Sequence, residues 1–594
     1  MKFVNQILRL KYLILSFQSK LSNKQFILLS SILVGLSVGL AVVVLKAFVH
    51  FIFVVATFEK ALSFKYLYLM LPCIGIFLTV FVVKKILKGK LEKGLSHIHF
   101  SIAKKSSNIP KEQMYAQIIT SSLTVGLGGS AGLEAPIVLT GAAFGSNYSK
   151  TYNLNYKERT LLLACGIAAG ISAAFNAPIA GVLFALEVLL IDVSISAFTP
   201  LIISAATGAL VSKIISNENT LLSFKLQETF DYYNVPFYVL LGVLAGLVSV
   251  YHSRVFIKIE TIFSKRKRYK YRMAIIGGVI LAALIFVFPS LFGEGYESIK
   301  MLSLQKPENI MNNSFFSDYK SNEWIVLFFI GVLIFVKSIA TAITLGSGGN
   351  GGNFAPSLFV GAYLGFFFSR LLNILNVVSL PQSNFTIVGM AGILSGIYHA
   401  PLTAIFLIAE ITGGYTLMIP LMIVSSISYA ISKYFEPHSM DTKLLADQGQ
   451  IFTNDKDKNI LTTINTNSLI ENDFSIISPN DTLRNLVEVI SKSKRNLFPV
   501  LNENDELLGV IILDNIREII FNTKKYDTIL VKELMRDSPD LLTVNEPIES
   551  VLKKFDRTGA WHLPVIYNKK YLGFISKSKV FIRYREKLID QSIE

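Results

Sequence analysis

One carboxylate stands where a helix is predicted to begin inside an apolar part of the chain. Glu134 lies in the sequence Gly132-Leu-Glu-Ala-Pro136, and proline is tolerated in the first turn of a helix because its missing N–H needs no partner there. A helix start exposes unpaired N–H groups and the positive end of the helix dipole, and both attract anions. A carboxylate at this position would occupy the N–H groups that an anion would bind, and its protonation would release them. We therefore predict that Glu134 is a gate.

A glutamate in an apolar segment needs a favourable environment, because charge at bilayer depth is costly. In one interpretation, the Glu134 carboxylate lies on backbone N–H groups and competes with an anion. In the other, Glu134 is a structural residue that pairs with a buried basic residue such as Lys337. The sequence leaves both open.

A second loop of the same kind precedes Pro356. Closely spaced glycines end at Gly352, and Asn353 and Phe354 lie at the predicted helix start. The edge of an aromatic ring is weakly positive and can face an anion. A glycine-rich loop can also hold phosphate, but no Gly-Lys-Ser/Thr follows and the flanking residues are apolar, which argues against a Walker-type site. The N–H groups near Gly352–Ala355 are therefore predicted to bind an anion.

Four Ala-Pro pairs mark the helices that must position these loops. Their prolines are Pro136, Pro178, Pro356 and Pro401, and each pair opens an apolar run. The first two prolines are 42 residues apart and the last two are 45 apart. A glutamate follows nine residues after the second proline of each pair, and these two are Glu187 and Glu410. Broken helices repeated in two apolar halves indicate a binding site at the interface of the halves.

The composition identifies an integral membrane protein. Of 594 residues, 52% are hydrophobic and 16% are charged, and the mean hydropathy is +0.51, which is too apolar for a soluble protein of this length. Several runs are long enough to span a bilayer, which takes about 20 residues. They are Phe26–Phe58, Tyr66–Val83, Val235–Tyr251, Met273–Phe292 and Ile325–Leu345.

The distribution of basic residues indicates orientation and not nucleic-acid binding. The net charge is +16, but the lysines and arginines lie near the ends of apolar runs and in a hydrophilic tail, as the positive-inside rule arranges them. We predict a cytoplasmic N-terminal segment over residues 1–24, a cytoplasmic C-terminus and a location in the plasma or inner membrane.

The composition changes abruptly after Ala446, where a polar stretch predicts a linker over residues 446–467. Two similar blocks follow, each with a helix-like segment and two short apolar runs around a turn. The first contains Leu497-Phe-Pro-Val-Leu and the second His562-Leu-Pro-Val-Ile. This tail resembles a tandem pair of CBS domains, over residues 468–525 and 530–590.

The membrane segments resemble the CLC family of chloride channels and proton-coupled chloride antiporters. Gly132-Leu-Glu-Ala-Pro136 is similar to the family motif G-K/R-E-G-P, Gly352-Asn-Phe-Ala-Pro356 to G-x-F-x-P, and the stretch from Ala168 to Glu187 to the longest shared segment. The resemblance implies a mainly α polytopic membrane domain over residues 25–445, built of two inverted-topology repeats with broken helices and followed by the α/β CBS pair. It also implies a homodimer with one anion pathway per subunit, bound chloride and gating by Glu134.

The resemblance extends to residues expected to contact the anion, and some of them depart from the family pattern. The family's anion-contacting serine aligns with Lys93, with Ser96 nearby, and its anion-contacting tyrosine aligns near Asp441. An acidic residue there would repel chloride unless it is paired, and Lys93 and Asp441 are candidates to compensate each other. Their alternative is a pair of surface residues in loops beside the pore. The predicted anion contacts are Lys93, Ser96, Gly132, Leu133, Ala135, Asn353, Phe354, Ala355 and Asp441.

A further departure bears on coupling to protons. Proton-coupled members of the family usually carry Glu-Glu at the end of the Asn-Ala-Pro helix, whereas this chain has Glu187-Val188. Valine carries no proton, and channel members of the family have valine there. Water, Glu187 or another titratable group could replace the missing relay. We therefore predict a passive chloride channel and keep the proton-coupled antiporter as the alternative.

The CBS resemblance raises an alternative of another class, a membrane-tethered nucleotide sensor. In CBS domains a Ser/Thr and an Asp three residues later often hold the ribose of an adenine nucleotide. Here the corresponding pairs are Ile512 with Asn515 and Ser576 with Lys579, so the pattern is broken in both. No nucleophile–base set or metal-ligand spacing occurs, and we predict neither enzymatic activity nor a metal site nor a required cofactor.

Overall fold

The structure is a computed structural model of the chain. It describes residues 20–56, 67–189, 195–216, 230–266, 269–447, 461 and 464–591. The chain divides into two compact units, with the division between Ile451 and Phe452. Residues 1–19 of the predicted N-terminal segment lie outside the described residues, as does most of the predicted linker 446–467. The end of one predicted span at Phe58 and the start of another at Tyr66 also lie outside them.

The membrane unit is helical. In the described residues its helices are α1 (Asn23–Ala56), α2 (Leu71–Lys85), α3 (Ser96–Lys104), α4 (Gln113–Gly126), α5 (Glu134–Thr151), α6 (Tyr156–Phe175), α7 (Pro178–Glu187), α8 (Ile195–Ser216), α9 (Val235–Ser264), α10 (Lys270–Val287), α11 (Tyr296–Ser303), α12 (Glu323–Gly346), α13 (Phe354–Ile374), α14 (Gln382–Tyr398), α15 (Pro401–Ile411), α16 (Met418–Phe435) and α17 (Met440–Asp447). Short 3-10 turns span Leu67–Met70, Tyr232–Asn234, Pro289–Leu291, Pro307–Met311 and Ser317–Tyr319. Nine helical segments of the described chain are long and apolar enough to cross a membrane.

All four Ala-Pro pairs lie at helix starts, as predicted. α7 and α15 begin at Pro178 and Pro401 themselves, and α5 and α13 begin two residues before their prolines. The turns that precede α7 and α15 are alike, because Asn176 and His399 end the preceding helices in the left-handed conformation with φ of 56°. Each such residue stops one helix, and the Ala-Pro pair after it starts the next.

The two halves of the membrane unit repeat the same packing. α5 lies along α6 as α13 lies along α14, and α1 packs on α8 as α9 packs on α16. The paired helices approach closely at glycines. A Cβ on Gly141 would lie 2.3 Å from the carbonyl oxygen of Gly166, and one on Gly361 would lie 2.4 Å from that of Gly389, so no larger residue fits without movement. The prediction of two inverted repeats is confirmed.

The C-terminal unit contains two small sheets and the helices around them. The helices are α18 (Leu483–Lys492), α19 (Leu513–Ile516), α20 (Val531–Leu534), α21 (Ile548–Thr558) and α22 (Lys577–Gln591), after a 3-10 turn at Thr466–Leu469 and with another at Thr523–Lys525. The strands are β1 (Leu497–Leu501), β2 (Leu507–Ile512), β3 (Leu542–Thr543), β4 (His562–Tyr567) and β5 (Lys570–Ser576). β1 pairs with β2 and β4 with β5 in antiparallel hairpins, each with a register shift near its turn, and β3 is parallel to β4. The predicted α/β tail is confirmed.

Candidate anion site

The loops before α5 and α13 contact each other directly. The Gly132 N–H donates to the Gly352 carbonyl at 2.8 Å, and the Gly352 N–H donates to the Gly132 carbonyl at 2.7 Å. This bridge brings the first turns of two helices together, one from each repeat. Because both helices begin there, the site combines two sets of first-turn N–H groups and two positive dipole ends.

The Glu134 carboxylate lies at the start of α13. Its Oε2 accepts a hydrogen bond from the Ala355 N–H at 3.4 Å, and its Oε1 accepts one from the Tyr296 hydroxyl at 2.6 Å. The residue is only 3% exposed. A Cβ added at Gly132 would lie 2.1 Å from Oε2, so the carboxylate lies where that residue has no side chain. The contacts are those of a negative group held between two helix starts.

The alternative partner of Glu134 has a different role. Lys337 is fully buried, and its ammonium donates to the Ser130 hydroxyl at 2.9 Å and to the Gly293 carbonyl at 3.2 Å. No hydrogen bond or ion pair joins Lys337 to Glu134, although both residues are described. Lys337 instead ties the loop before α5 to the loop before α11. The idea of a Glu134–Lys337 pair is therefore wrong.

The predicted anion-binding amides divide into occupied and unoccupied groups. The N–H of Gly132 donates to the Gly352 carbonyl, so that amide is engaged in this structure, and the role of Gly132 as an anion contact stays a prediction. The N–H of Leu133 donates to the carboxylate of Glu294 at 3.2 Å. The N–H groups of Ala135 and Phe354 have no hydrogen-bond partner among the described residues.

The side chains of Asn353 and Phe354 anchor the start of α13 to neighbouring helices. The Asn353 amide is hydrogen-bonded to His252 Nε2 at 2.9 Å and donates to Met440 Sδ at 3.3 Å. The Phe354 ring lies 5.6 Å from the ring of Tyr398 and is 3% exposed. These contacts fix the position of the first turn, and in this structure they occupy the Asn353 side chain.

Two of the predicted contacts, Lys93 and Asp441, lie near the α13 loop but do not pair. The Lys93 ammonium donates to the carbonyls of Gly348 and Gly349 at 2.8 and 2.7 Å. Asp441 follows Met440 at the start of α17, and its buried Oδ2 has no hydrogen-bond partner in the described chain. No hydrogen bond or ion pair joins Lys93 to Asp441, so the expected compensation between them is not observed.

Ser96 is placed less closely than the other predicted contacts. It is the first residue of α3, which packs against α17, and its side chain is half-buried. Among the described residues no hydrogen bond joins its hydroxyl to the loop before α13.

Three residues that sequence reasoning missed lie around the two helix starts. Glu294 comes from the loop before α11, where it accepts from the Leu133 N–H, and Tyr296 is the first residue of α11 and donates to Glu134. Tyr398 ends α14, and its ring packs on that of Phe354 at the start of α13. The only signal was a carboxylate between two glycines directly after a predicted span, in Phe292-Gly-Glu-Gly-Tyr.

The two glutamates that recur in the halves form reciprocal caps. Glu187 ends α7, and its carboxylate accepts hydrogen bonds at the start of α15 from the Leu402 N–H at 3.1 Å and from both the N–H and the hydroxyl of Thr403 at 2.7 and 2.8 Å. Glu410, near the end of α15, accepts from two N–H groups at the start of α7 at 3.1 and 2.8 Å. Each repeat therefore supplies the N-terminal cap of the other. Val188, directly after Glu187, is buried.

In the C-terminal unit, Ser576, which occupies the ribose position of the incomplete CBS pattern, is already hydrogen-bonded. The Ser576 hydroxyl donates to Glu471 at 2.6 Å, and Arg495 donates to the other oxygen of the same carboxylate at 2.6 Å. Arg495 also bonds Asp473, and these hydrogen bonds lower the pKa of Asp473. The cluster joins the two CBS-like blocks.

Comparison with known proteins identifies both parts of the chain. A family model described as voltage gated chloride channel matches residues 74–433, and CBS domain models match residues 468–522 and 531–586. A putative chloride channel protein, ClcB-like, of Ralstonia nicotianae is 27% identical over 64% of this chain and 85% of its own length. The voltage-gated ClC-type chloride channel ClcB of Escherichia coli O81 is 30% identical over 53% of this chain and 71% of its own length.

Solved structures have the same fold. A slow cyanobacterial Cl−/H+ antiporter aligns with a TM-score of 0.61 over 72% of this chain and 98% of its own, at 20% identity. A eukaryotic CLC transporter aligns with a TM-score of 0.60 over 94% of this chain and 99% of its own, at 17% identity. The family model covers more than half of the chain, and the matched residues include the two bridged helix starts of α5 and α13. The chain therefore belongs to the voltage-gated chloride channel family, and a pair of CBS domains follows its membrane domain.

Proposed function

We propose that the chain conducts chloride or a similar small anion across a membrane as a passive channel, and that Glu134 gates the pathway. The hydrogen bond from the Ala355 N–H to the Glu134 carboxylate carries this proposal. A helix start favours negative charge through its unpaired N–H groups and its dipole. The carboxylate occupies that position at the start of α13 and excludes a free anion from it.

Opening requires the Glu134 carboxylate to leave the start of α13. Protonation of Glu134 weakens the hydrogen bonds from Tyr296 and Ala355, because bonds to a charged acceptor are about twice as strong as those to a neutral one. An entering anion then takes the Ala355 N–H. The unpartnered N–H groups of Ala135 and Phe354 lie in the same two first turns and would add to its binding.

Passive conduction is the form we propose because the inner relay position carries Val188, which holds no proton. The neighbouring Glu187 is engaged by three hydrogen bonds at the start of α15, which makes it a poor substitute. The Escherichia coli relative is named a channel. The alternative is a proton-coupled antiporter, the activity named for the cyanobacterial protein of the same fold.

A liposome flux assay with simultaneous proton detection tests the proposal. The purified protein is reconstituted with a chloride gradient, and chloride release and internal pH are recorded together. We expect chloride efflux without stoichiometric proton movement. Glu134→Gln should raise the efflux and remove its dependence on pH, whereas Glu297→Gln, which neutralises an exposed carboxylate on α11, should leave both unchanged.

The outcomes separate the two forms of transport from the gate assignment. Proton movement against its gradient, driven by chloride in a fixed ratio, would replace the channel by the antiporter. Unchanged efflux and pH response in Glu134→Gln would refute the gate. An inactive wild-type protein in this assay would refute anion transport itself.

We extend the proposal to the remaining predicted contacts and to the setting of the protein. Lys93, Ser96 and Asp441 are proposed to contact the anion along its path, because Lys93 holds the loop before α13 and α17 contacts Asn353 through Met440. We propose a homodimer in a plasma or inner membrane with both termini in the cytoplasm, and the predicted domain boundaries.

Nucleotide sensing by the CBS pair is the alternative of another class. A ribose at Ser576 would have to displace the hydrogen bond to Glu471, which argues against binding there. Equilibrium binding of adenine nucleotides to the full-length protein decides the matter, with Ser576→Ala as the site variant. Binding that Ser576→Ala abolishes would support the sensor, and no binding would remove it.

A further inference from the structure

We propose that Glu294 is a second carboxylate of the anion path, which competes with the anion for the start of α5 while Glu134 competes for the start of α13. The inference rests on the proposed anion pathway past Glu134. It is carried by the hydrogen bond from the Leu133 N–H to Glu294 Oε1 at 3.2 Å. Leu133 immediately precedes α5, so the two facing helix starts are each occupied by a carboxylate.

The helix that follows Glu294 supplies the hydroxyl bonded to Glu134. Tyr296, two residues after Glu294, donates its hydroxyl to Glu134 at 2.6 Å. The loop that carries Glu294 is docked on the one before α5, because the Gly293 N–H donates to the Gly128 carbonyl at 3.1 Å. An anion that displaces Glu294 from Leu133 therefore moves a side chain only two residues from the hydroxyl that holds Glu134 closed.

The charges around Glu294 suit a carboxylate that can be displaced. Lys337 donates to the adjacent Gly293 carbonyl at 3.2 Å, which places a positive charge beside Glu294 and offsets the cost of a partly buried negative charge. Glu294 accepts from the N–H of Leu133, the residue directly before Glu134, so the two carboxylates lie near each other, and two like charges repel. Each carboxylate thus weakens the hold of the other, and an anion has to displace charge at both helix starts.

The test is the chloride dependence of efflux from liposomes that contain Glu294→Gln. The amide is a weaker acceptor for the Leu133 N–H than the carboxylate, by about a factor of two in bond strength. We expect the half-saturating chloride concentration to fall about fivefold with a maximal rate at least as high as that of the wild type, since roughly 1 kcal/mol corresponds to a factor of about five. Glu297→Gln is the matched control, because it removes an exposed carboxylate three residues away.

Glu294→Gln removes the negative charge beside Lys337, and the variant could fail to fold for that reason. A second variant keeps the test decisive in that case. Glu294→Asp retains the charge but is shorter by one methylene, which withdraws the carboxylate from Leu133. It should lower the half-saturating concentration in the same direction. A lower maximal rate with an unchanged half-saturating concentration would indicate a structural role and overturn the inference.

The inference and the proposed function fail in distinguishable ways. If Glu134→Gln opens the pathway while both Glu294 variants behave like Glu297→Gln, this inference is wrong and the gate stands. If Glu134→Gln changes nothing while the Glu294 variants shift the chloride dependence, the gate is wrong and Glu294 alone controls entry. A wild-type protein that moves no anion would overturn both.

Discussion

The hydrogen bond from Tyr296 to Glu134 gives the sharpest quantitative prediction. At 2.6 Å it is much shorter than the 3.4 Å contact from the Ala355 N–H, so it contributes most of the side chain's hold on the closed position. Hydrogen bonds to charged groups are worth about 1.5–3 kcal/mol, and each 1.4 kcal/mol is about a factor of ten. Tyr296→Phe should therefore shift the closed–open equilibrium of Glu134 by about 10- to 100-fold toward open.

The assay is chloride efflux from liposomes at neutral pH, where we expect the proposed gate to be mostly closed. Efflux through Tyr296→Phe should rise toward the ceiling set by Glu134→Ala. The double variant supplies the control, because the hydroxyl has no carboxylate to hold once Glu134 is removed. Tyr296→Phe should accordingly add nothing in the Glu134→Ala background, a non-additivity that marks a direct interaction.

Two results would refute this reasoning. Wild-type efflux in Tyr296→Phe would mean that the hydroxyl does not hold the gate. An equal increase in the presence and absence of Glu134 would mean that Tyr296 acts on the pathway by another route, such as its width.

Three further predictions concern the elements around the gate. Gly132→Ala should raise efflux at neutral pH toward that of Glu134→Gln, because its Cβ would lie 2.1 Å from the Glu134 carboxylate oxygen. Efflux at the wild-type rate in this variant would show that the carboxylate closes the path from another position. Glu187→Gln should lower the midpoint of thermal unfolding, measured by size-exclusion chromatography after heating, because loss of a helix cap costs about 0.5–2 kcal/mol. An unchanged midpoint would show that the cap does not stabilise the fold. Lys93→Met should raise the half-saturating chloride concentration several-fold, because it releases two carbonyls of the loop before α13. The control Lys90→Met, at an exposed position, should not raise it. Equal shifts in the two variants would indicate a general effect of charge.

The helix starts could be predicted because their signals are local. Proline and glycine act on their own backbone and that of their neighbours, so Pro178 and Pro401 alone place α7 and α15. The same logic identifies the Glu134 carboxylate, because the acidic residue and the signals of the helix start lie within the five residues Gly132–Pro136. The duplicated spacing then indicated two repeats.

The partners of Glu134 could not be predicted, because they are distant in sequence. Tyr296 lies 162 residues after Glu134, and Glu294 lies 161 after Leu133. No periodicity or spacing links such positions, and their proximity follows only from how the loop before α11 docks on the loop before α5. For the same reason the sequence cannot distinguish Lys337 from the true partners of Glu134, and in the structure Lys337 bonds two loops instead.

The expected pairing of Lys93 with Asp441 failed for a related physical reason. Opposite charges at two aligned positions suggested an ion pair, but a lysine satisfies its donors equally well on backbone carbonyls, and two of these lie within 2.8 Å. Charge complementarity in a sequence does not reveal which acceptors the fold brings nearer.

The reciprocal caps have a consequence for how the chain is made. The Thr403 N–H that Glu187 binds is 216 residues further along the chain. The whole first repeat is therefore synthesised before α15, the helix that Glu187 caps, exists. Until then the Glu187 carboxylate lacks the N–H groups of α15 that it binds in the complete chain, and the start of α7 lacks the Glu410 carboxylate. Two severed halves should therefore be more stable together than apart. The same exchange would occur between two copies of a single repeat inserted in opposite orientations, which is the arrangement from which a gene duplication would yield this chain.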